Sequence, residues 1–350
     1  MAKTIVGLDI GSEYIRAVEL ADAGKLKPRL VRFHVVVVPE GAVRRGEVVE
    51  PNTVAGLLKR LWHEGGFKSK RVVLGMGNQR VFARDLSVPK APLSRIRESL
   101  PFSVQDMLPL PVADAIMDFF PISETVGDHG TMVNGLLIAA VKDAVLGNVK
   151  AVQLAGLTPV EVDLIPFALD RALVTRQRRA GTVAIVDVGA STTSVTVASN
   201  GVPQFVRIIS SGGFDITSAI AGRLGIGIVE ADEAKKRLGL AKSVGNQTEQ
   251  DQVGVIYELV KDMLSSLRNT ISYFSSTRPH DPVTAIVLSG GGSQLTGFAE
   301  ALAEFTRLPV SIGDPLAAVT LGRGVDRAEA ARYGVSLAVP LGLALGSVAA

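Results

Sequence analysis

Residues 5–20 read IVGLDIGSEYIRAVEL, and residues 183–198 read VAIVDVGASTTSVTVA. Each stretch is an apolar strand that ends in a carboxylate, Asp9 or Asp187, which is followed two residues later by Gly11 or Gly189. A purely structural strand has no need of an acid followed by a flexible glycine turn. Because this pattern of strand, carboxylate and glycine occurs once in each half of the chain, it indicates an internal duplication in which both copies carry a functional acid.

The pattern around each copy predicts the same structural unit. In the first half, two alternating apolar segments follow the opening strand, and residues 51–67 then have helical periodicity that stops at Gly65 and Gly66. The second copy opens with three strands that include a Ser-Asn-Gly turn. The predicted fold class is therefore α/β with two duplicated lobes. The predicted bounds are 1–80 and 152–181 for the first lobe, 81–151 for an inserted α+β subdomain, 182–221 and 280–350 for the second lobe, and 222–279 for a further subdomain of the second lobe.

The composition excludes several classes of protein and of site. The chain has 350 residues, of which 47% are apolar and 20% charged, as is typical of a compact two-domain protein. The absence of cysteine excludes disulfides, thiolate zinc sites and thiol nucleophiles, and the four histidines have no metal-ligand spacing. The net charge is only +3, so we interpret the basic clusters at 44–45, 68–71 and 176–179 as solvated faces and expect no nucleic-acid partner.

The two ends of the chain bear on its location. The N-terminal segment carries an aspartate inside its short apolar run, which is not a secretory signal. The apolar tail at 335–350 is shorter than the roughly 20 residues that span a bilayer. We therefore expect a cytoplasmic protein with no membrane span, whose tail is a buried terminal helix.

Three glycine turns end three apolar strands: LDIGS at 8–12, VDVGAS at 186–191 and LSGGGSQL at 288–295. A backbone without side chains can bring its amides onto phosphate oxygens. Magnesium on a polyphosphate needs only one or two carboxylates, so Asp9 and Asp187 are candidates to hold a hydrated magnesium ion. The alternative interpretation is that each aspartate only caps the turn that follows it. The chain contains neither a P-loop motif nor a G-x-S-x-G nucleophile elbow.

These turns resemble the phosphate 1, phosphate 2 and adenosine motifs of the actin, sugar-kinase and chaperone ATPase superfamily, in which two ribonuclease-H-like lobes close over ATP. Residues 107–122, MLPLPVADAIMDFFPI, resemble a signature of the PilM family, the actin-like proteins of type IV pilus assembly, which are similar to the cell-division protein FtsA. The resemblance covers essentially the whole chain. It implies an actin-like scaffold that binds ATP or ADP with Mg²⁺. It also implies docking of the N-terminal cytoplasmic tail of a PilN-like inner-membrane protein and of other pilus assembly components, which would hold the scaffold at the inner face of the membrane.

The resemblance also assigns roles to residues of this chain. Asp9 and Asp187 would hold the metal through water, and Glu233 and Lys235 would lie beside the adenosine. The other predicted contacts with the nucleotide are Gly11, Ser12, Gly189, Ala190 and Ser191 at the phosphates, Gly212, Gly213 and Asp215 by the ribose and phosphates, and Gly290, Gly291, Gly292 and Ser293 at the adenine. For the helix that carries Glu233 and Lys235, an ordinary surface helix with charge pairs is the alternative.

One position departs from the pattern of hydrolysing relatives, which place Gln or Glu on the helix before phosphate 2 to orient the attacking water. This chain has Ile165 there, followed by Pro166. Isoleucine can neither accept a proton nor align water, and phosphoryl transfer depends on positioning the nucleophile. We therefore expect weak or absent ATP hydrolysis, with Asp163 as the nearest candidate carboxylate.

Two other functions in the same superfamily remain as alternatives. A small-molecule kinase would need a catalytic Asp or Arg in a substrate cleft, and the sequence shows no such motif. An FtsA-like filament former would carry a basic amphipathic membrane helix, which the tail lacks.

The partner's tail is predicted to dock between the first lobe and the inserted subdomain. Pro101, Pro109 and Pro111 bound segments too short to bury much apolar area alone. Apolar Phe102, Leu108 and Leu110 could offer a surface that a peptide completes. The alternative is that these residues close the subdomain's own core.

Overall fold

The structure is a computed structural model that describes residues 4–127 and 130–346. Within these ranges no helix combines the length and the apolar character needed to cross a membrane. In chain order, the strands are β1 (Thr4–Ile10), β2 (Tyr14–Ala21), β3 (Arg29–Val37), β4 (Val43–Arg44), β5 (Glu47–Val48), β6 (Arg71–Met76), β7 (Val81–Pro89), β8 (Ala115–Gly127), β9 (Gly130–Val141), β10 (Thr158–Leu164), β11 (Thr182–Val188), β12 (Thr193–Ser199), β13 (Val202–Ile209), β14 (Ala285–Ser289), β15 (Val310–Ile312) and β16 (Thr320–Leu321). The helices are α1 (Pro51–Glu64), α2 (Leu93–Ser103), α3 (Lys142–Leu154), α4 (Ile165–Asp170), α5 (Gly213–Leu224), α6 (Ile228–Leu238), α7 (Gln247–Thr277), α8 (Phe298–Thr306), α9 (Arg327–Tyr333) and α10 (Ala338–Gly346).

Two sheets of the same design form the two lobes. The first has the order β10-β6-β1-β2-β3-β16, and the second has the order β13-β12-β11-β14-β15. In each lobe three antiparallel strands come first in the chain, and two strands parallel to the opening strand are added on its other side. The internal duplication inferred from Asp9 and Asp187 is therefore confirmed, and the chain has the actin-like two-lobe fold.

The second half of helix α3 packs in the first lobe, whereas its first half packs with β7 and β9 of the inserted subdomain. Ala151 and Val152 of α3 share a buried cluster with Leu58 and Leu61 of α1 and with the apolar residues of β1. Sequence analysis placed α3 in the inserted subdomain because it follows that subdomain's strands directly. Its apolar stripe needs a sheet face to cover it, and the outer face of the first lobe provides one.

The end of the chain returns to the first lobe. Strand β16 pairs with β3, and α10 is buried along its whole described length. A Cβ atom added to Gly7 of β1 would lie 1.9 Å from the carbonyl oxygen of Pro340, and one added to Gly342 would lie 1.9 Å from that of Ala168 in α4. Helix α10 therefore packs between β1 and α4, and its backbone is in direct contact with the backbone of both.

This placement confirms one expectation and corrects another. The tail does form a buried helix through residue 346, and residues 347–350 lie outside the described residues. The predicted second lobe, however, ran to residue 350, whereas 320–346 pack on the first. A helix that is apolar on all sides must be covered on all sides, and the gap between β1 and α4 is where that cover exists.

The inserted subdomain is a three-stranded sheet, β7-β9-β8, with α2 on one face. It contacts both lobes. The ring of Phe120 lies 4.7 Å from that of Phe167 in α4, and Nη2 of Arg278, at the end of α7, lies 3.4 Å from the Asp85 carboxylate. The position of the subdomain is therefore fixed relative to the space between the lobes.

The helices of the second lobe form a single core with its sheet. Apolar residues of α5, α6 and α7 pack with those of β11, β12 and β14 in one cluster. The predicted boundary at residue 222 falls inside α5, which runs through Leu224. The helix ends at Gly225, where the backbone is left-handed, so the predicted boundary lies three residues too early to coincide with the end of α5.

Asp170 is a buried acid at the end of α4, where the helix widens into a π-helical turn over Arg171–Thr175. It is 2% exposed, accepts a hydrogen bond of 2.7 Å from Oγ1 of Thr175, and leaves Oδ1 without a partner. Burial raises the pKa of Asp170 to about 6, against the opposing effects of Thr175 and Arg171. The folded chain therefore keeps this proton at pH values where the unfolded chain has lost it.

We expect Asp170→Asn to flatten the pH dependence of stability. The folded-state pKa is above the unfolded value, so ionisation destabilises the fold increasingly from pH 4 to pH 6 and fully above that range. The free energy of unfolding should fall by roughly 2 kcal/mol less between pH 4 and pH 8 in the variant than in the parent. Urea unfolding at both pH values measures this, with exposed Asp106→Asn as the matched control. Parallel pH profiles for parent and Asp170→Asn would contradict the prediction.

Candidate functional site

The two duplicated carboxylates, Asp9 and Asp187, line one cavity of about 710 Å³ between the lobes. Each lies one residue before the end of the opening strand of its lobe, β1 or β11. Both sheets present the carboxyl ends of their parallel strands to this cavity, which is where ligands bind in open α/β folds.

The turns that follow the two strands are closed in the same way. The amide of Gly11 donates to the carbonyl of Tyr14 at 3.0 Å, and that of Gly189 donates to Thr192 at 2.9 Å. A Cβ atom on Gly11 would lie 3.0 Å from the carbonyl oxygen of Tyr14, and one on Gly189 would lie 3.0 Å from that of Thr192. Both turns therefore keep bare backbone facing the cavity, as binding of a polyanion requires.

Asp9 has a cationic partner. The turn places it directly opposite Arg16 on β2, and Nη1 of Arg16 lies 3.2 Å from Oδ2 of Asp9. Burial raises the pKa of Asp9, and the Arg16 guanidinium acts against that rise. The guanidinium also stacks on the Tyr14 ring, 5.2 Å from its centroid. Sequence analysis missed Arg16, although counting outward from the tight turn at Gly11 would have paired it with Asp9.

Asp187 lies between two serines on one row of the second sheet. Ser194 is opposite it on β12 and Ser289 is beside it on β14, so all three side chains are on the same face. Oδ1 of Asp187 and the hydroxyls of both serines are buried without a hydrogen-bond partner among the described residues. Burial raises the pKa of Asp187 to about 6, nearby Asp9 adds to this rise, and Arg16 opposes it.

This row fits a hydrated cation. Buried polar groups in proteins are normally satisfied, so three adjacent unsatisfied oxygens point to a ligand that supplies donors. The water shell of Mg²⁺ supplies them, and Mg²⁺ keeps several of its waters in proteins. Within residues 4–127 and 130–346, no cluster of three or more His, Cys, Asp or Glu side chains could hold a metal alone. The arrangement therefore suits a metal ion whose remaining oxygen ligands come from a phosphate.

The third glycine turn follows β14. Gly290 has φ of +84°, and a Cβ atom there would lie 2.4 Å from the carbonyl oxygen of Val188. Gly290, Gly291 and Gly292 line the cavity, whereas Ser293 is 4% exposed and donates to the Gly290 carbonyl at 2.6 Å. Ser293 therefore fixes the turn and does not face the cavity, in contrast with its predicted contact with the adenine.

A similar division holds at the start of α5. Gly213 lines the cavity and donates its amide to the Gly189 carbonyl at 2.9 Å. Gly212 packs against Ala190, where a Cβ atom would lie 2.5 Å from the carbonyl oxygen, and donates to Oδ2 of Asp215 at 2.7 Å. Gly212 and Asp215 thus hold the loop in place, while Gly213, Ala190 and Ser191 face the space.

Helix α6 presents Asp232 and Lys235 to the cavity. Nζ of Lys235 lies 2.8 Å from Oδ1 of Asp232, and donates to Oγ1 of Thr217 at 2.6 Å and to the Gly213 carbonyl at 3.1 Å. Glu233 is exposed and does not line the cavity, so the structure separates the predicted pair. The buried stripe Ala231, Ala234 and Leu238 sets this rotation of the helix.

Asp163 and Ile165 lie at the junction of β10 and α4. Asp163 does not line the cavity and is paired with Arg171. Ile165 does line the cavity, and it fills space that Gly75 leaves, since a Cβ atom on Gly75 would lie 2.9 Å from Cγ1 of Ile165. The position expected to orient water therefore carries an alkyl side chain that faces the cavity.

Comparisons with known proteins identify a family and a fold. The sequence model of the family described as type IV pilus assembly protein PilM matches residues 7–348. The solved PilM-PilN type IV pilus biogenesis complex is 28% identical, with a TM-score of 0.86 over 98% of this chain and 98% of that chain.

Two further matches are more distant in sequence, and the first of them, a solved structure, has the same fold. MreB 5 of Spiroplasma citri bound to AMPPNP is 13% identical, with a TM-score of 0.52 over 89% of this chain and 92% of that one. The cell division protein FtsA of Bacillus subtilis is 22% identical over 355 residues, covering 89% of this chain and 78% of its own length.

Proposed function

This chain belongs to the PilM family of type IV pilus assembly proteins, and from that premise we propose that it is an ATP-binding actin-like scaffold. In this proposal it holds the N-terminal cytoplasmic tail of a PilN-like membrane protein, and through that partner it lies at the inner face of the membrane. The observation that carries the nucleotide part is the cavity where Asp9, Asp187 and three glycine turns meet. The PilM-PilN complex, at 28% identity over 98% of the chain, supports the partner.

In the proposed complex, Asp9 and Asp187 would hold Mg²⁺, and the buried hydroxyls of Ser194 and Ser289 would hydrogen-bond to its water. The metal, when bound, neutralises charge on the phosphates. The glycine turns at Gly11, Gly189 and Gly213 line the same space, and their bare backbone leaves room for phosphate oxygens. The fold of MreB 5, which was solved with AMPPNP, is consistent with a nucleotide in this position.

Arg16 gives this site a positive charge in addition to that of the metal ion. It neutralises Asp9 within the protein, and it lies within reach of any ligand that competes for its guanidinium. A polyphosphate offers stronger bidentate contacts to arginine than one carboxylate oxygen at 3.2 Å does. We therefore assign Arg16 to the phosphates and Asp9 to the metal.

The nucleoside side of the cavity is built from α5, α6, α7 and the third turn. The apolar residues of this side suit a purine ring, and they are Ile216, Met263, Leu295 and Phe298. The polar residues suit the ribose, and they are Lys235 and Asp232. Lys235 is already held by Thr217 and Gly213, so it is oriented before any ligand arrives. Glu233 faces solvent and has no part in this assignment.

We expect the unaltered protein to hydrolyse ATP slowly or not at all. Ile165 faces the cavity where a water-orienting amide or carboxylate would be needed, and Asp163 is held by Arg171. Phosphate release measured with and without Ile165→Glu tests this, and Asp187→Asn reports the background that does not arise from the site. Substantial turnover by the parent that Asp187→Asn abolishes would show that another residue orients the water.

The docking part of the proposal rests on the inserted subdomain. Phe102, at the end of α2, is 87% exposed, and Leu110 is half-buried nearby in sequence. Leu108 packs against the subdomain's own core, so for this residue the alternative of core closure holds. An exposed phenylalanine and a half-buried leucine in the same subdomain suit an apolar side chain of a peptide.

We expect Leu110→Asp to weaken capture of a synthetic peptide corresponding to the PilN-like tail by roughly 10-fold or more, because it places a charge in an apolar contact. Fluorescence anisotropy of the labelled peptide measures this. The matched control is Val229→Asp, which changes an exposed valine on the second lobe. ATP should tighten the peptide by the same factor by which the peptide tightens ATP. Equal capture by folded Leu110→Asp would place the docking surface elsewhere.

A further inference from the structure

Basic segments that are far apart in sequence meet at one end of the first lobe. Strands β1 and β6 begin at this end, β2 ends there, and β3 begins there. The segment 68–71 leads into β6, where Oγ of Ser69 donates to the Thr4 carbonyl at 3.2 Å, and the turn 22–28 joins β2 to β3. Since adjacent strands are ~4.8 Å apart, these segments lie within about 15 Å of each other.

The third segment, 176–179, is tied to the same place. Nη1 of Arg176 donates to the Lys25 carbonyl at 2.8 Å, and Nη2 donates to the Ala23 carbonyl at 3.3 Å. The chain between the lobes therefore adds its arginines to the cations of the first lobe. Sequence analysis interpreted 68–71 and 176–179 separately as solvated faces and did not single out the turn 22–28, because nothing in the sequence shows that these segments adjoin.

We call this surface the basic end and define it by six exposed cations: Lys25, Lys27, Arg29, Lys68, Lys70 and Arg71. Among the residues that the structure describes, Lys25 is the one member that forms an ion pair, with Asp22 at 3.3 Å. The whole chain has a net charge of only +3, so this concentration is local. Such a surface attracts polyanions through its local positive electrostatic potential and not through the net charge of the protein.

An apolar residue stands at the tip of the same surface. Leu26 lies between Lys25 and Lys27 and is 63% exposed. An exposed leucine flanked by lysines matches a bilayer interface, where the alkyl group reaches the acyl region and the ammonium groups meet headgroup phosphates. A nucleic acid would use the cations and leave the leucine in water, so the leucine favours a lipid surface.

We propose that the basic end docks directly on a bilayer rich in anionic phospholipid, with Leu26 inserted between headgroups. The nucleotide cavity opens at the opposite end of the same sheet, so it stays open to solvent when the basic end is covered. This contact is separate from the capture of a membrane protein's tail by the inserted subdomain. It would orient the scaffold on the membrane and raise the local concentration of the tail.

Co-sedimentation with vesicles tests the proposal. Phosphatidylcholine vesicles containing phosphatidylglycerol should bind the protein, vesicles of phosphatidylcholine alone should not, and binding should weaken as salt is raised. The double variant Lys25→Glu/Lys27→Glu should lose binding by a factor on the order of 30 or more. Leu26→Ser should lose binding by several-fold without changing the dependence on salt.

The matched control is Lys242→Glu/Lys261→Glu, which makes the same change of net charge at exposed lysines of the second lobe. Its binding should equal that of the parent. Equal losses in the two double variants, or vesicle binding unaffected by Lys25→Glu/Lys27→Glu, would overturn the proposal. Tight binding of a short RNA duplex at the basic end, without binding to anionic vesicles, would also overturn it and assign the surface to nucleic acid. Nucleotide affinity, which depends on the other end of the sheet, checks that each variant is folded.

Discussion

Gly342→Ala is expected to destabilise the protein by at least about 3 kcal/mol, with a fall in melting temperature of roughly 5 °C or more. A Cβ atom at this position would lie 1.9 Å from the carbonyl oxygen of Ala168 and 2.5 Å from its carbonyl carbon. Those atoms are backbone of α4, so no rotamer change relieves the clash, and α10 and α4 must move apart. Loss of packing around a helix buried on every side then follows.

The matched control for Gly342→Ala is Gly254→Ala, which changes an exposed glycine inside α7. No atom lies within 4 Å of a Cβ atom built there, so alanine should stabilise α7 by roughly 0.5–1 kcal/mol through its better helix propensity. Differential scanning calorimetry of both variants measures the contrast. Similar melting temperatures for the two would show that α10 does not approach α4 as closely as described.

The second large effect is expected on nucleotide binding. Asp187→Asn should lower the affinity for Mg-ATP by roughly 10- to 100-fold, which corresponds to about 1.4 to 2.7 kcal/mol. The reason is that the carboxylate has an unsatisfied oxygen in a row with Ser194 and Ser289, which fits the water shell of the metal. Titration calorimetry with Mg-ATP, and with ATP in the presence of a chelator, separates the contribution of the metal from that of the phosphates.

Asp9→Ala gives a distinguishable result. It also removes a metal carboxylate, but it releases Arg16 from its ion pair, so affinity for metal-free ATP should be maintained or increased while the magnesium dependence decreases. Glu233→Gln on the exposed side of α6 is the control and should bind as the parent does. Unchanged Mg-ATP affinity in both Asp9→Ala and Asp187→Asn would refute the assignment of this cavity.

The features that the sequence predicted are those encoded in short stretches. The repeat of strand, carboxylate and glycine turn was visible at Asp9 and at Asp187 because the residues that define it are within a few positions of one another. The turn geometry also determines which residues are opposite the acids, so Arg16 and Ser194 were within reach of the same reasoning. The rotation of α6, which selects Asp232 over Glu233, could likewise be read from the spacing of Ala231, Ala234 and Leu238.

The features that the sequence could not predict depend on contacts between distant segments. Helix α10 is apolar on all sides, so its composition shows that it is buried but not against which lobe. Helix α3 has a buried stripe that either neighbouring sheet could cover, and only the assembled structure shows that the first lobe covers its second half. The same holds for charge. Each basic segment has an ordinary number of cations by itself, and the order of the strands brings together 25–29, 68–71 and 176–179.

The return of α10 to the first lobe has a consequence for biosynthesis. Strand β1 is made more than 300 residues before α10, so the surface that Gly7 offers to Pro340 stays uncovered until α10 has been made. At translation rates of about 5–20 residues per second, that interval lasts roughly 15–60 s. The second lobe, whose sheet and helices are complete by β15, can therefore fold before the first. The first lobe is completed only when α10 has been made, and nascent chains are expected to depend on chaperones during that interval.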